Sequence, residues 1–304
     1  MNIRNRCTKV CLFLWVIGMC FCAHPIKAQS VIPVPLKMEQ GTGSFLLSEK
    51  TKLYTNLQGE EAALLGDYLR TALSLQFKEG KKKDKQNVLS LLISEKNPLL
   101  VLPESYILSV TPEHILIKAS SGAGLFYGIQ TLQQLLVDKG NGCIQLPYIM
   151  INDEPRFGYR GLMLDVARYF YSVEYVKEYI DLMARYKINR FHWHLTEDAG
   201  WRIEIKKYPE LTKIGAWRNS TQWGHNPTEQ DRIPHGGFYT QEQIKEIIQY
   251  AADRYITIVP EIDLPGHTMS VLATYPELSC TGGPFRIPET WGIKEEVLCL
   301  GNDK

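Results

Sequence analysis

GLMLDVARYFYSVEYVKEYIDLMARYKINRFHWHL, residues 161–195, reads as strand, helix, strand. The run 161–166 is short and apolar and ends on polar residues; from 173 to 187 the apolar Val176, Ile180 and Met183 recur at helical spacing; 189–195 returns to a strand pattern. Two parallel strands need a crossover of this kind, so the stretch is a βαβ unit. Downstream the rhythm repeats: a helix over 241–255 carries Ile244, Ile247, Ile248 and Ala251 on one stripe, and a third strand follows at 257–262. A parallel sheet clothed in helices is either an open doubly wound sheet or a (β/α) barrel, and in both the active face lies at the C-terminal strand ends.

Ionisable residues collect at those ends. Asp165 and Arg168 follow the first strand, His194, Glu197 and Asp198 the second, and Glu261, Asp263 and His267 the third. Three strands delivering charge to one rim make a poor core and a good site. The connection 196–240 far exceeds the usual roughly 2 to 6 residues, which marks it as functional or disordered. It holds Trp201, Trp217 and Trp223, whose flat rings suit stacking on the apolar faces of sugars or, equally, stapling the loop to the sheet.

Upstream, residues 29–152 mix a helix at 60–75 and strands at 88–93, 106–110 and 114–119 with a closing helix from about 124, a small α+β layer before the parallel region at 153–304. The lysine run KEGKKKDKQN, 78–87, is a solvated loop without interleaved aromatics. SGAG, 121–124, precedes a helix but lacks the Gly-Lys-Ser/Thr of a phosphate loop, so it is a helix entry.

Lys+Arg 34 against Asp+Glu 33 gives a formal charge of +1, which offers no electrostatic reason to expect a polyanion partner such as nucleic acid. Residues 1–28 read as an export signal: Arg4, Arg6 and Lys9, an apolar run from 10 to 22, then Ala28 before the cut. That run is too short for a stable transmembrane segment, so the expectation is an exported protein of periplasm, cell surface or medium. Cys143, Cys280 and Cys299 remain after cleavage; Cys280 and Cys299 bracket a Gly/Pro-rich loop and are the expected disulfide, leaving Cys143 a buried or inert thiol.

Three motifs in order carry a family resemblance: YRGLMLDVARYF (159–170), FHWHLTEDAGWRIEIKKYPELTKIGAW (191–217) and VPEIDLPGHT (259–268), preceded by SGAGLFYGIQTLQQLL (121–136). Together they resemble family 20 glycoside hydrolases, the β-N-acetylhexosaminidases, whose barrel commonly follows a small α/β domain. The resemblance implies an α/β fold, here part of a (β/α)8 TIM barrel preceded by a small α+β domain. It also implies exo-hydrolysis of terminal β-linked N-acetylglucosamine or N-acetylgalactosamine from glycans, with no cofactor or metal. In such enzymes the substrate's own acetamido oxygen attacks the anomeric carbon, so the protein needs an Asp to orient the acetamide and a Glu as general acid rather than a carboxylate nucleophile.

Carried over residue by residue, the resemblance makes Arg160 the fork that grips the sugar hydroxyls, Glu197 and His267 the pair behind the general acid, and Asp263 an acidic neighbour of the sugar, with His194 and Trp201 completing the binding site. Arg160 also has a plainer reading, an ion pair with Asp165. The family's His-x-Gly-Gly-Asp-Glu stretch is absent: His235-Gly236-Gly237 runs into Phe238, and Asp153-Glu154 precedes the first barrel strand. Three βα units also fall short of the eight a barrel needs, so the chain is expected to be an N-terminal portion, inactive alone and prone to aggregate through open strand edges. Two other readings stay open: an amino-sugar-binding remnant without catalysis, and a metal-dependent barrel hydrolase using His192, His194, Asp263 and His267.

Overall fold

The computed structural model describes residues 31–94, 96–138 and 144–302. The expected export signal and Cys143 lie outside the described residues. The N-terminal layer contains β1 (Lys37–Leu47), β2 (Lys52–Thr55), α1 (Gly59–Leu73), β3 (Lys78–Glu79), β4 (Val88–Ile93), β5 (Tyr106–Val110), β6 (His114–Ala119), α2 (Gly122–Gln134), β7 (Val137–Asp138) and β8 (Ile144–Asp153). These strands form one sheet in the order β1-β8-β5-β6-β4-β2-β3, with β7 on β8. The expected strands are there, and the sheet adds the long antiparallel pair β1/β8. The glycines of 121–124 serve packing, as a helix entry should: a Cβ on Gly122 would lie 1.8 Å from Glu61 Oε1, and one on Gly124 2.5 Å from the Ser105 carbonyl.

The second layer holds β9 (Gly161–Asp165), α3 (Val173–Arg185), β10 (Arg190–His194), β11 (Thr196–Glu197), β12 (Gly200–Trp201), α4 (Glu210–Lys213), β13 (Trp217–Arg218), β14 (His235–Gly236), α5 (Gln241–Ala252), β15 (Thr257–Glu261) and α6 (Met269–Leu272). Strands β9, β10 and β15 pair in parallel with β10 central. Phe191 and Trp193 of β10 are buried, whereas Leu162 and Met163 of β9 and Val259 of β15 are 42%, 49% and 39% exposed, as flanking strands are. Helix α5 buries Ile247 and Ala251 but leaves Ile248 48% exposed, so the expected stripe is only partly covered.

Helix starts follow capping chemistry. Ser172 accepts from the Tyr175 N–H, and Thr240 with Gln243 completes a reciprocal capping box at α5. Thr240→Ala should therefore cost about 1 kcal/mol, read as a lower urea midpoint. One hydrophobic core runs from Phe45 and Leu65 through Phe126 to Phe191 and Ile247, spanning both layers. Among the described residues no helix is long and apolar enough to cross a membrane.

Candidate active site

Parallel pairing puts the three strand exits side by side: His194 registers against Asp165 on one flank and Glu261 on the other. The loop after β9 is set by Asp165, whose Oδ1 accepts from the N–H groups of Ala167 and Arg168 at 3.0 Å each. That turn aims Arg168 across the rim. Its Nη1 donates to Asp165 Oδ2 at 2.5 Å and its Nη2 to Glu197 Oε1 at 2.9 Å. Burial works against the Arg168 charge, but the hydrogen bond to Asp165 and the nearby carboxylate of Glu197 outweigh it and hold the guanidinium above its ordinary pKa.

Glu197 is buried and shared. Its Oε1 also meets His267 Nδ1 at 2.9 Å, and its Oε2 accepts from the Ala199 N–H at 2.9 Å. His267 stands in the left-handed backbone region, φ 55°, where its Nδ1 also lies 3.4 Å from Asp198 Oδ2. Asp198 Oδ1 accepts from the Met269 N–H, and Ser270 Oγ donates to the Glu197 carbonyl, so the third strand's loop is pinned to the second's. Asp263 joins them by its N–H, which donates to Thr196 Oγ1 at 3.0 Å.

His194 is buried, with Nδ1 2.7 Å from Glu261 Oε2, the oxygen that His192 Nε2 also meets. Burial opposes the Glu261 charge, yet the two imidazoles hold the carboxyl below its usual value. Among the described residues two groupings could take a divalent cation: His194, Glu261 and Asp263, and Glu197, Asp198 and His267, each with ligand atoms within 4.8 Å of one another. In the second, Glu197 Oε1 is already engaged by Arg168 and His267.

Two expected members are elsewhere. Arg160 precedes Gly161 and so enters β9 at the end opposite the rim. Its Nη2 pairs with Glu104 Oε2 at 2.6 Å, and its Nε and Nη1 donate to the carbonyls of Lys187 and Phe157 at 2.7 and 2.8 Å. Its fork is spent on the junction between the layers, so it neither shares a mouth with Asp263 and His267 nor pairs with Asp165. The guanidinium at the rim is that of Arg168. Trp201 is also no sugar platform: pairing of Thr196 with Trp201 turns the indole into a small core with Leu211 and Val271, and its Nε1–H donates to the Ile203 carbonyl at 2.6 Å. The exposed indoles of that loop are Trp217 and Trp223.

Glu197, His267, Asp263 and His194 do come together at the strand exits. Cys280 and Cys299 are joined as a disulfide with Cα atoms 4.9 Å apart. Sequence reasoning missed Arg202, which lies fully buried under the rim. A lone cation directly after the hairpin, between the apolar Trp201 and Ile203, was the only sign of it.

A family model described as Glycosyl hydrolase family 20, catalytic domain, matches residues 157–304, and one described as Glycosyl hydrolase family 20, domain 2, matches residues 28–154. A β-hexosaminidase of Porphyromonas gingivalis is 44% identical over 287 residues, 91% of this chain and 35% of that protein. The solved β-N-acetylhexosaminidase of Streptomyces coelicolor superposes with a TM-score of 0.77 at 34% identity, covering 90% of this chain and 54% of that one. A Vibrio harveyi exo β-N-acetylglucosaminidase solved with N-acetylglucosamine gives 0.71 at 38% identity, covering 83% and 38%. The chain thus spans between about a third and a half of the length of these relatives.

Proposed function

We propose that this chain, which belongs to glycosyl hydrolase family 20, supplies the sugar-holding side of an exo-acting β-N-acetylhexosaminidase site built on the first strands of a (β/α)8 barrel. The observation that carries the reading is the continuous chain Arg168–Glu197–His267, which links the exits of all three parallel strands. Arg168 takes the role first given to Arg160: its side chain is 36% exposed at the rim, and a planar fork matches the vicinal hydroxyls of a terminal amino sugar. Glu197 orients the His267 imidazole, which faces outward to tune a neighbouring acid. Asp263 flanks the sugar.

The chemistry is substrate-assisted. The acetamido oxygen forms the bond to the anomeric carbon as the glycosidic bond breaks, so the protein's work is to position and to stabilise charge. The Asp-Glu pair that would orient the acetamide and protonate the leaving oxygen is not among these 304 residues. The chain, freed of its export signal, accordingly binds N-acetylglucosamine without turning over a chromogenic N-acetyl-β-glucosaminide. Calorimetric titration tests this, and Arg168→Ala should weaken binding by about 1.5 kcal/mol, the scale of a charge-assisted hydrogen bond, while Arg160→Ala leaves it unchanged. No heat with the sugar would defeat the reading of the rim; steady turnover would defeat the assignment of the missing pair.

A further inference from the structure

Beneath the rim lie two buried guanidiniums, acted on by carboxylates such as Asp165 and Asp231 only from beyond contact. Arg202 is 0% and Arg218 5% exposed, and among the described residues neither lies within ion-pair distance of an acid. Burying such a group costs heavily unless its donors are met, and Arg202 meets them with backbone oxygens alone. Its Nε donates to the carbonyls of Val166 and Ala167 at 3.1 and 3.2 Å, and its Nη2 to Ala167 at 2.8 Å. Its Nη1 reaches the carbonyls of Ala216 and Gly237 at 2.5 and 3.1 Å. Arg218 Nη1 donates to the Ala199 carbonyl at 3.1 Å and its Nε to Thr221 Oγ1 at 3.0 Å. The two cations oppose each other, and burial pushes Arg202 down to about 9.

The carbonyls chosen explain the arrangement. Val166 and Ala167 are the residues immediately before Arg168; Ala199 is the residue whose N–H holds Glu197 Oε2. We propose that Arg202, with Arg218 beside it, is a positioning residue that fixes the backbone on both sides of the Arg168–Glu197 pair and thereby sets where the Arg168 fork meets the sugar. The proposal rests on the reading of the rim as an amino-sugar site. A lysine keeps the charge but is a point donor on a flexible stem, so it cannot span carbonyls from three loops.

The test is made on the whole chain with Arg202→Lys and Arg202→Met. Hydrogen exchange is followed at the amides of residues 166–168, which are bonded to the His194 carbonyl and Asp165 Oδ1. N-acetylglucosamine binding is titrated per folded molecule. In Arg202→Lys those amides should exchange more than tenfold faster, with the amides of β10 and β15 unchanged, and the sugar should bind at least tenfold more weakly. Arg202→Met should do the same where it folds; where it does not, the lysine variant decides. Unchanged exchange at 166–168, or faster exchange with full sugar affinity, overturns the positioning role. Absence of sugar binding by the unsubstituted chain instead overturns the rim reading, and the exchange result then stands as evidence on the brace alone.

Discussion

Asp153→Ala lowers the free energy of unfolding by about 3–5 kcal/mol, the cost of leaving a buried charge without its partner. Asp153 Oδ2 receives Lys187 Nζ and the Tyr106 hydroxyl, each at 2.8 Å, and Oδ1 receives the Leu36 N–H at 3.1 Å. The Lys187 side chain is 8% exposed and that of Asp153 12%, so neither charge is returned to solvent when the other is removed. Burial already pulls the Lys187 pKa below its ordinary value against the attraction of Asp153. In Asp153→Ala the ammonium keeps only the Tyr106 hydroxyl, itself in contact with Thr131. The double variant Asp153→Ala with Lys187→Met removes both charges and should recover at least half the loss, since an apolar pair of similar volume costs little. Urea unfolding of the two variants against the parent measures this. A double variant no more stable than the single one would show that packing, not charge, holds the junction.

The same junction shows where the sequence could be read and where it could not. The strand–helix–strand rhythm of 161–195 located β9, α3 and β10, because a parallel strand and its crossover helix each carry a local apolar period. The rim was legible too, since polar residues right after apolar runs are residues at strand exits. The choice between Arg160 and Arg168 was legible as well, since Arg160 precedes the strand and Arg168 follows it, but the resemblance was followed to Arg160 instead. They lie at opposite ends of one five-residue strand, and the family motif includes both. Only the direction of the strand decides, with Arg160 entering against Glu104 and Arg168 leaving toward Glu197. Trp201 and Arg202 failed for a different reason. A two-residue pairing, Thr196 with Trp201 and Glu197 with Gly200, sends the indole inward and puts the next guanidinium under the rim. Neither outcome follows from composition or spacing, because the indole is placed by packing on Leu211 and Val271 and the guanidinium by carbonyls delivered from loops far apart in the chain.

Acid should loosen the rim through His235. Its Nε2 accepts from the Phe170 N–H at 2.9 Å, two residues beyond Arg168, and its ring stacks on Tyr169 with centroids 3.9 Å apart. The hydrogen bond requires the unprotonated nitrogen. Burial, then the charges of Arg218 and Arg202, push the imidazole from 6.5 down to about 4. The folded chain therefore binds fewer protons than the unfolded chain between those values, and stability rises with pH across that window. The contribution is complete above about 6.5 and is lost as pH falls toward about 4, amounting to about 2–3 kcal/mol after allowing for partial solvent contact. His235→Gln offers the Phe170 N–H an acceptor that does not titrate, so the variant should lose that much less stability than the parent between pH 7 and pH 4. Urea midpoints at pH 7, 5.5 and 4 give the comparison, and it uses the difference between the two proteins because the carboxylates titrate alike in both. Equal slopes would mean that the ring accepts its proton without releasing Phe170. If the slopes differ as expected, sugar binding by the parent should fail on the acid side before global unfolding, since Arg168 stands on the same short loop as the residue that His235 holds.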